Sequence, residues 1–151
     1  MPPAMASTSA FLNVQNIDAS LAFYKALGFK VTYRGKTDDG KLGWCDLDMD
    51  GAGLGLGSIP SNMEDEYQAW VSTPLGAGVV VYVTVDDVDR VYAKAQKVNA
   101  KIEIPLQDRS YGRVFTLNDP DGYTVSFITE EKPRPRRRAK AKKAVAKRAR
   151  K

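Results

Sequence analysis

At 151 residues, 43% of them apolar, the chain is long enough for one ordinary domain with its own core. It contains no histidine, which excludes Ser-His-acid and Cys-His nucleophile systems, His-based zinc sites and the facial triad of iron oxygenases. Of its 23 Lys and Arg, 12 lie in residues 132–151 with no acid among them, and the other 11 face all 18 Asp and Glu, so an acidic body near −7 carries a tail of +12.

In chain order, residues 1–8 hold no basic residue and no apolar run and read as a flexible N-terminus. No later stretch approaches the roughly 18 apolar residues of a membrane span. Residues 11–14 form a short apolar strand. A helix follows, with Asp18 as expected N-cap, Ile17, Leu21, Tyr24 and Leu27 on one face, and Gly28 at a left-handed C-cap. Three short strands are expected at 30–34, 42–47 and 52–57, the last two joined by the turn Asp48-Met49-Asp50-Gly51. Cys45 is the sole cysteine, so no intramolecular disulfide can form and a cytoplasmic setting is expected. It reads as a small buried hydrophobe, since no histidine can activate it.

Residues 59–79 are longer than most connections and form the expected linker, with Tyr67 and Trp70 as a ligand lid or a pin to the core, and a solvated acidic run at Glu64, Asp65 and Glu66. A second strand–helix–three-strand series then follows. A β-branched strand covers 79–85; Asp87 or Asp89 caps a helix with the stripe Val88, Tyr92, Ala95 and Val98, and Asn99 takes the C-cap position. Strands at 101–104, 113–117 and 124–128 complete it, the last two joined by Asp119-Pro120-Asp121-Gly122.

The two series are one module repeated. At a constant offset of 71, residues 9–58 align with 80–129 without a gap: Asp18 meets Asp89, Lys30 meets Lys101, and Asp48, Asp50 and Gly51 meet Asp119, Asp121 and Gly122. The expected fold class is therefore α+β: two tandem βαβββ modules, 9–58 and 80–131, forming a curled mixed sheet around a cleft with helices outside, plus a disordered basic C-terminal tail.

Asn118-Asp119-Pro120-Asp121-Gly122 before an alternating strand, the stretch Val85-Asp86-Asp87-Val88-Asp89, and a helix ending at Leu27-Gly28-Phe29 together resemble the vicinal oxygen chelate superfamily of glyoxalases, bleomycin-resistance proteins and dioxygenases. The resemblance covers about residues 9–130 and implies a shared cleft and a homodimer. In metal-dependent relatives the ligands come from the first and last strand of each module. The resemblance places them at Ser9, Gly55, Val80 and Ser126, of which Gly and Val offer no donor. It therefore implies the metal-free, bleomycin-resistance-like branch, to which Tyr111-Gly112-Arg113-Val114-Phe115 is also similar, and no cofactor.

Strand alternation predicts the cleft lining. Leu12 and Val14 face the helix, leaving Phe11 and Asn13 for the cleft; Val81, Val83 and Val85 leave Val80, Tyr82 and Thr84. Gly53, Gly55 and Gly57 point inward and leave space, and Thr124, Ser126 and Ile128 point inward in the second copy. The register across the Asp-Gly turns decides whether Trp44 and Phe115, or Cys45 and Thr116, point in. The expected ligand-binding set is Phe11, Asn13, Trp44, Gly55, Trp70, Tyr82, Thr84, Tyr111 and Ser126. Two motif imitations are set aside. Asp46, Asp48, Asp50 and Gly51 open like a calcium loop, but Gly57 stands where its bidentate Glu belongs; the glycines alternate at a spacing of two without a following helix, unlike a phosphate loop.

The tail alternates basic residues with alanine, lacks core formers and is expected to be disordered when free. Arg136, Arg137, Arg138, Lys140, Lys142, Lys143, Lys147, Arg148, Arg150 and Lys151 are its expected contacts to DNA, RNA or another polyanion, with nucleoid association as a consequence. The leading expected function is metal-independent binding of a small organic molecule. The alternatives are a metal-independent lyase or isomerase, with Asn13, Tyr82 or a cleft Asp polarising the substrate, and a scaffold acting through its tail.

Overall fold

The computed structural model describes residues 8–59 and 74–130. The expectations for Trp70 and for the basic tail fall outside the described residues. The first module runs β1 (Ala10–Val14), α1 (Ile17–Leu27), β2 (Lys30–Lys36), β3 (Leu42–Met49) and β4 (Ala52–Ser58); the second runs β5 (Val80–Thr84), α2 (Val88–Lys97), β6 (Lys101–Arg109), β7 (Gly112–Asn118) and β8 (Thr124–Glu130). This is the α+β, twice-βαβββ architecture. Its strands pair as two four-stranded mixed sheets, ordered β1-β4-β3-β2 and β5-β8-β7-β6, instead of one continuous sheet. In each, the first and last strands are parallel and the other pairs antiparallel.

The helices start one turn-signal earlier than the acid pattern predicts in one case. Asn16, not Asp18, caps α1, its side chain accepting from the Ala19 N–H at 3.0 Å, while Asp18 sits in the first turn where the helix dipole favours an acid. Gly28 ends α1 at φ 116, and the Gly28 and Phe29 N–H groups donate to the Lys25 and Tyr24 carbonyls. Asp87 caps α2. The buried stripe of α2 is Val88, Val91 and Ala95; Tyr92 is half-buried and Val98 is 41% exposed, so the helix is turned from the expected face. Asn99 takes the left-handed position at φ 53, one residue past the cap Val98.

Each helix covers one face of its own sheet. Leu12, Val14, Cys45, Leu47, Leu54 and Leu56 are buried under α1, and Val83, Val85, Phe115, Leu117, Val125 and Phe127 under α2. The two sets merge into one core, with α1 against α2 and Phe29 against Phe127 at 6.4 Å. Leucine and valine at every second position of a strand bury one face only, which leaves the other face of each sheet uncovered by a helix.

The turn between β7 and β8 joins the modules. Buried Asp119 accepts from the Tyr24 hydroxyl at 2.8 Å and from the backbone N–H groups of Asp121 and Tyr123 at 2.9 Å. Asp121 accepts from the Gln15 N–H at 3.0 Å and the Ser20 hydroxyl at 3.2 Å, and the Tyr123 hydroxyl donates to the Asn13 carbonyl at 2.8 Å. Burial pushes the Asp119 carboxyl up from the usual carboxylate range, outweighing its three donors; burial and the adjacent carboxylate push the Tyr24 phenol far above its ordinary value.

Candidate functional site

The uncovered face of the first sheet is built from alternate residues that the ladder sets in rows. Phe11 of β1 lies opposite Gly55 of β4, which lies opposite Asp46 of β3 and then Tyr33 of β2. The next row is Asn13, Gly57, Trp44 and Gly35, and Gly53, Asp48 and Lys30 form a third. The glycines are where the aromatics lie down. A Cβ on Gly55 would stand 2.6 Å from the Phe11 ring, one on Gly57 2.5 Å from the ring's other edge, and one on Gly35 2.0 Å from the Trp44 indole. The expected empty space over the glycine strand is therefore largely filled: among its three glycines only Gly53 faces open space.

Both rings rest one face on glycine and keep the other toward solvent. Phe11 is 54% exposed and Trp44 40%, and Trp44 stacks on Tyr33 at 6.4 Å and 29°. A depression of about 330 Å³ beside Phe11 is lined by Phe11, Thr32, Asp46, Asp48, Gly53 and Gly55. A second, of similar volume, lies between the edge strands β1 and β5 and is lined by Phe11, Leu12, Gly76, Val79, Val81 and Tyr123. A broader one of about 1020 Å³ at the start of α1 is lined by polar groups such as Asn16, Asp18, Asp38 and Asp39, and by no aromatic.

On the second sheet the uncovered face carries Val80, Tyr82 and Thr84, with Tyr82 opposite Ser126 and Ser126 opposite Thr116. Tyr82 is 62% exposed, yet Ser126 and Thr116 beneath are buried and bonded to each other at 2.7 Å. Farther along, Asn118 donates to Glu103, which also pairs with Lys101. Tyr111 is exposed in the turn before β7. Arg113 sits beyond it, held by Asp89 of α2 and by Asp108, contacts that hold its guanidinium charged and draw the Asp89 carboxyl below the usual range.

The expected site residues thus fall in two groups. Phe11, Asn13, Trp44 and Gly55 share the first face, and Tyr82, Thr84 and Ser126 the second; neither depression lined by Phe11 includes Tyr82 or Thr84. Residues that the sequence did not place in the expected ligand-binding set are Tyr33, Gly35 and Asp46. Their signal was present in the alternation of β2 and β3, but β2 is bulged between Val31 and Tyr33, which breaks a simple count.

The family profile described as the Glyoxalase/Bleomycin resistance protein/Dioxygenase superfamily matches residues 6–127. The chain belongs to this superfamily. Among solved structures it resembles TioX from Micromonospora sp. ML1 (21% identity, 84% of this chain and 100% of that one, TM-score 0.64). It also resembles a bleomycin-binding protein complexed with bleomycin (22%, 84% and 100%, 0.60) and TnmS3, an antibiotic-binding protein from Streptomyces sp. CB03234 (18%, 87% and 100%, 0.63). At these identities the likeness is one of fold. A comparison with curated proteins finds no match.

The superfamily includes dioxygenases and glyoxalases, and the positions that the resemblance assigns to metal ligands are Ser9, Gly55, Val80 and Ser126. They do not fit. Gly55 lies under the Phe11 ring, Val80 has no donor, and Ser126 spends its hydroxyl on Thr116. Among the described residues no three His, Cys, Asp or Glu are grouped to hold a metal ion. Cys45 is fully buried, and burial pushes its thiol up, away from a reactive thiolate.

Proposed function

We propose that this superfamily member binds a small organic molecule without a metal, on the uncovered sheet faces, and releases it unchanged. The observation that carries the reading is the pair of rings laid flat on glycine, Phe11 on Gly55 and Gly57 and Trp44 on Gly35, each with its free face toward solvent. Apolar rings left half-exposed cost free energy unless something covers them, and such a patch on a soluble protein marks a binding surface. The relatives described as binding bleomycin or an antibiotic support the same reading by analogy of fold.

Phe11, Asn13, Trp44, Gly55, Tyr82, Thr84, Tyr111 and Ser126 are its proposed ligand contacts, with Trp70 as a further one from the linker. A homodimer in which the first face of one copy meets the second face of another would bring the two groups of residues to one cleft. In this reading the basic residues 132–151 engage nucleic acid, and the folded body takes the small molecule. The test is to purify the full chain from its native cell, measure its metals by elemental analysis and identify any co-purifying organic molecule by native mass spectrometry. The reading expects a one-to-one organic adduct and no stoichiometric metal. Stoichiometric zinc, iron, nickel or manganese in the body would overturn it.

A further inference from the structure

The small-molecule reading leaves the ligand's chemistry open, and the first sheet narrows it. We infer that this face takes a planar aromatic cation, stacked on Phe11 and Trp44 with its positive charge against Asp46. The inference rests on the proposed function and deepens it. Six atoms of the Phe11 ring are the near neighbours of the Cβ positions on Gly55 and Gly57, so the ring plane lies along the sheet, and the indole of Trp44 lies likewise over Gly35. Two rings presented face-up on one sheet form a shelf for a flat partner, because offset stacking needs parallel planes.

The sign of the charge comes from the rows. Asp46 stands between the Phe11–Gly55 pair and Tyr33, and Trp44 is two residues before it on the same strand face. It forms none of the ion pairs found among the described residues. Asp48 follows two residues on, and Asp46, Asp48 and Phe11 line the same depression of about 330 Å³. The register puts Lys30 opposite Asp48 and Lys36 opposite Leu42 on this face, and neither stands in the row of Asp46. Ring faces attract cations through their quadrupole, and a carboxylate among three aromatic rings adds a direct Coulomb attraction of the same sign. An anion would meet both repelled.

The probes are proflavine, a planar cation, and anthraquinone-2-sulfonate, a planar anion, titrated into the full chain with fluorescence and calorimetric readouts. Proflavine should bind more tightly. Asp46→Asn should weaken it about fivefold, the scale of one partly exposed charge contact, with melting temperature unchanged. Phe11→Ala should weaken it about tenfold. If the anion binds this face as well as the cation, with the same dependence on Phe11, the charge inference is overturned while the small-molecule reading stands; equal proflavine affinity in Asp46→Asn overturns it in the same way. If neither probe's affinity depends on Phe11 or Trp44, both fall.

Discussion

Phe11 and Gly57 occupy one volume between them, so a methyl group on the glycine must move the ring. The Cβ would stand 2.5 Å from two ring atoms, which a rotatable side chain relieves by lifting off the strand. Gly57→Ala is therefore expected to fold normally, by circular dichroism, and to lose up to about tenfold in ligand affinity, the worth of one aromatic contact. A second single-residue test lies at Tyr24, whose hydroxyl reaches the buried Asp119 across the modules. Tyr24→Phe leaves that carboxylate short of a donor and should cost about 1–3 kcal/mol in urea unfolding. The pH dependence has a defined sign. Asp119 titrates higher folded than unfolded, so its contribution to stability is full below its unfolded value near 3.8 and is lost as pH rises through the folded value. Tyr24→Phe removes a donor to the ionised form and should extend that loss to higher pH.

At the scale of elements, the two hairpins show what sequence could and could not predict. The faces of β1, β4, β5 and β8 were legible because apolar residues alternate strictly and a parallel pair has no turn to interpret. The faces of β3 and β7 depended on turn geometry. Asp48-Met49-Asp50-Gly51 closes with Met49 paired to Ala52, both Asp50 and Gly51 at positive φ, as a two-residue hairpin requires. Pro120 stands where Met49 does and has no N–H to donate to the pair that closes the first hairpin, so the second closes at Asn118 and Thr124 around a longer loop. The register slips by one residue between otherwise equivalent modules. Trp44 consequently faces outward while its sequence equivalent Phe115 is buried, and Thr116 takes the outward place. Neither option weighed from sequence contained that mixture. The turn also predicts an outcome: Gly51→Ala, at φ 91, should destabilise by roughly 1–2 kcal/mol, measurable by thermal unfolding. The inter-module clasp of Asp119 and Asp121 was not legible, because its partners Tyr24 and Ser20 lie some hundred positions away and look like ordinary members of a helical stripe.

Across the whole molecule, charge is divided between a body near −7 and residues 132–151 at +12. If half of those charges engage duplex DNA, the slope of log affinity against log salt should be roughly −5, and a fourfold rise in salt should cost on the order of a thousandfold. Truncation after residue 131 should abolish that binding; binding that survives truncation would place the interaction in the body. The account rests on the body taking a small molecule without a metal, and the most direct measurement is native mass spectrometry of the full chain after exhaustive chelation, against a panel of planar organic compounds. It predicts a one-to-one adduct that survives the chelator and is lost in the Phe11→Ala, Trp44→Ala double variant. An adduct that forms only when a divalent metal is restored, or one indifferent to both substitutions, would contradict it.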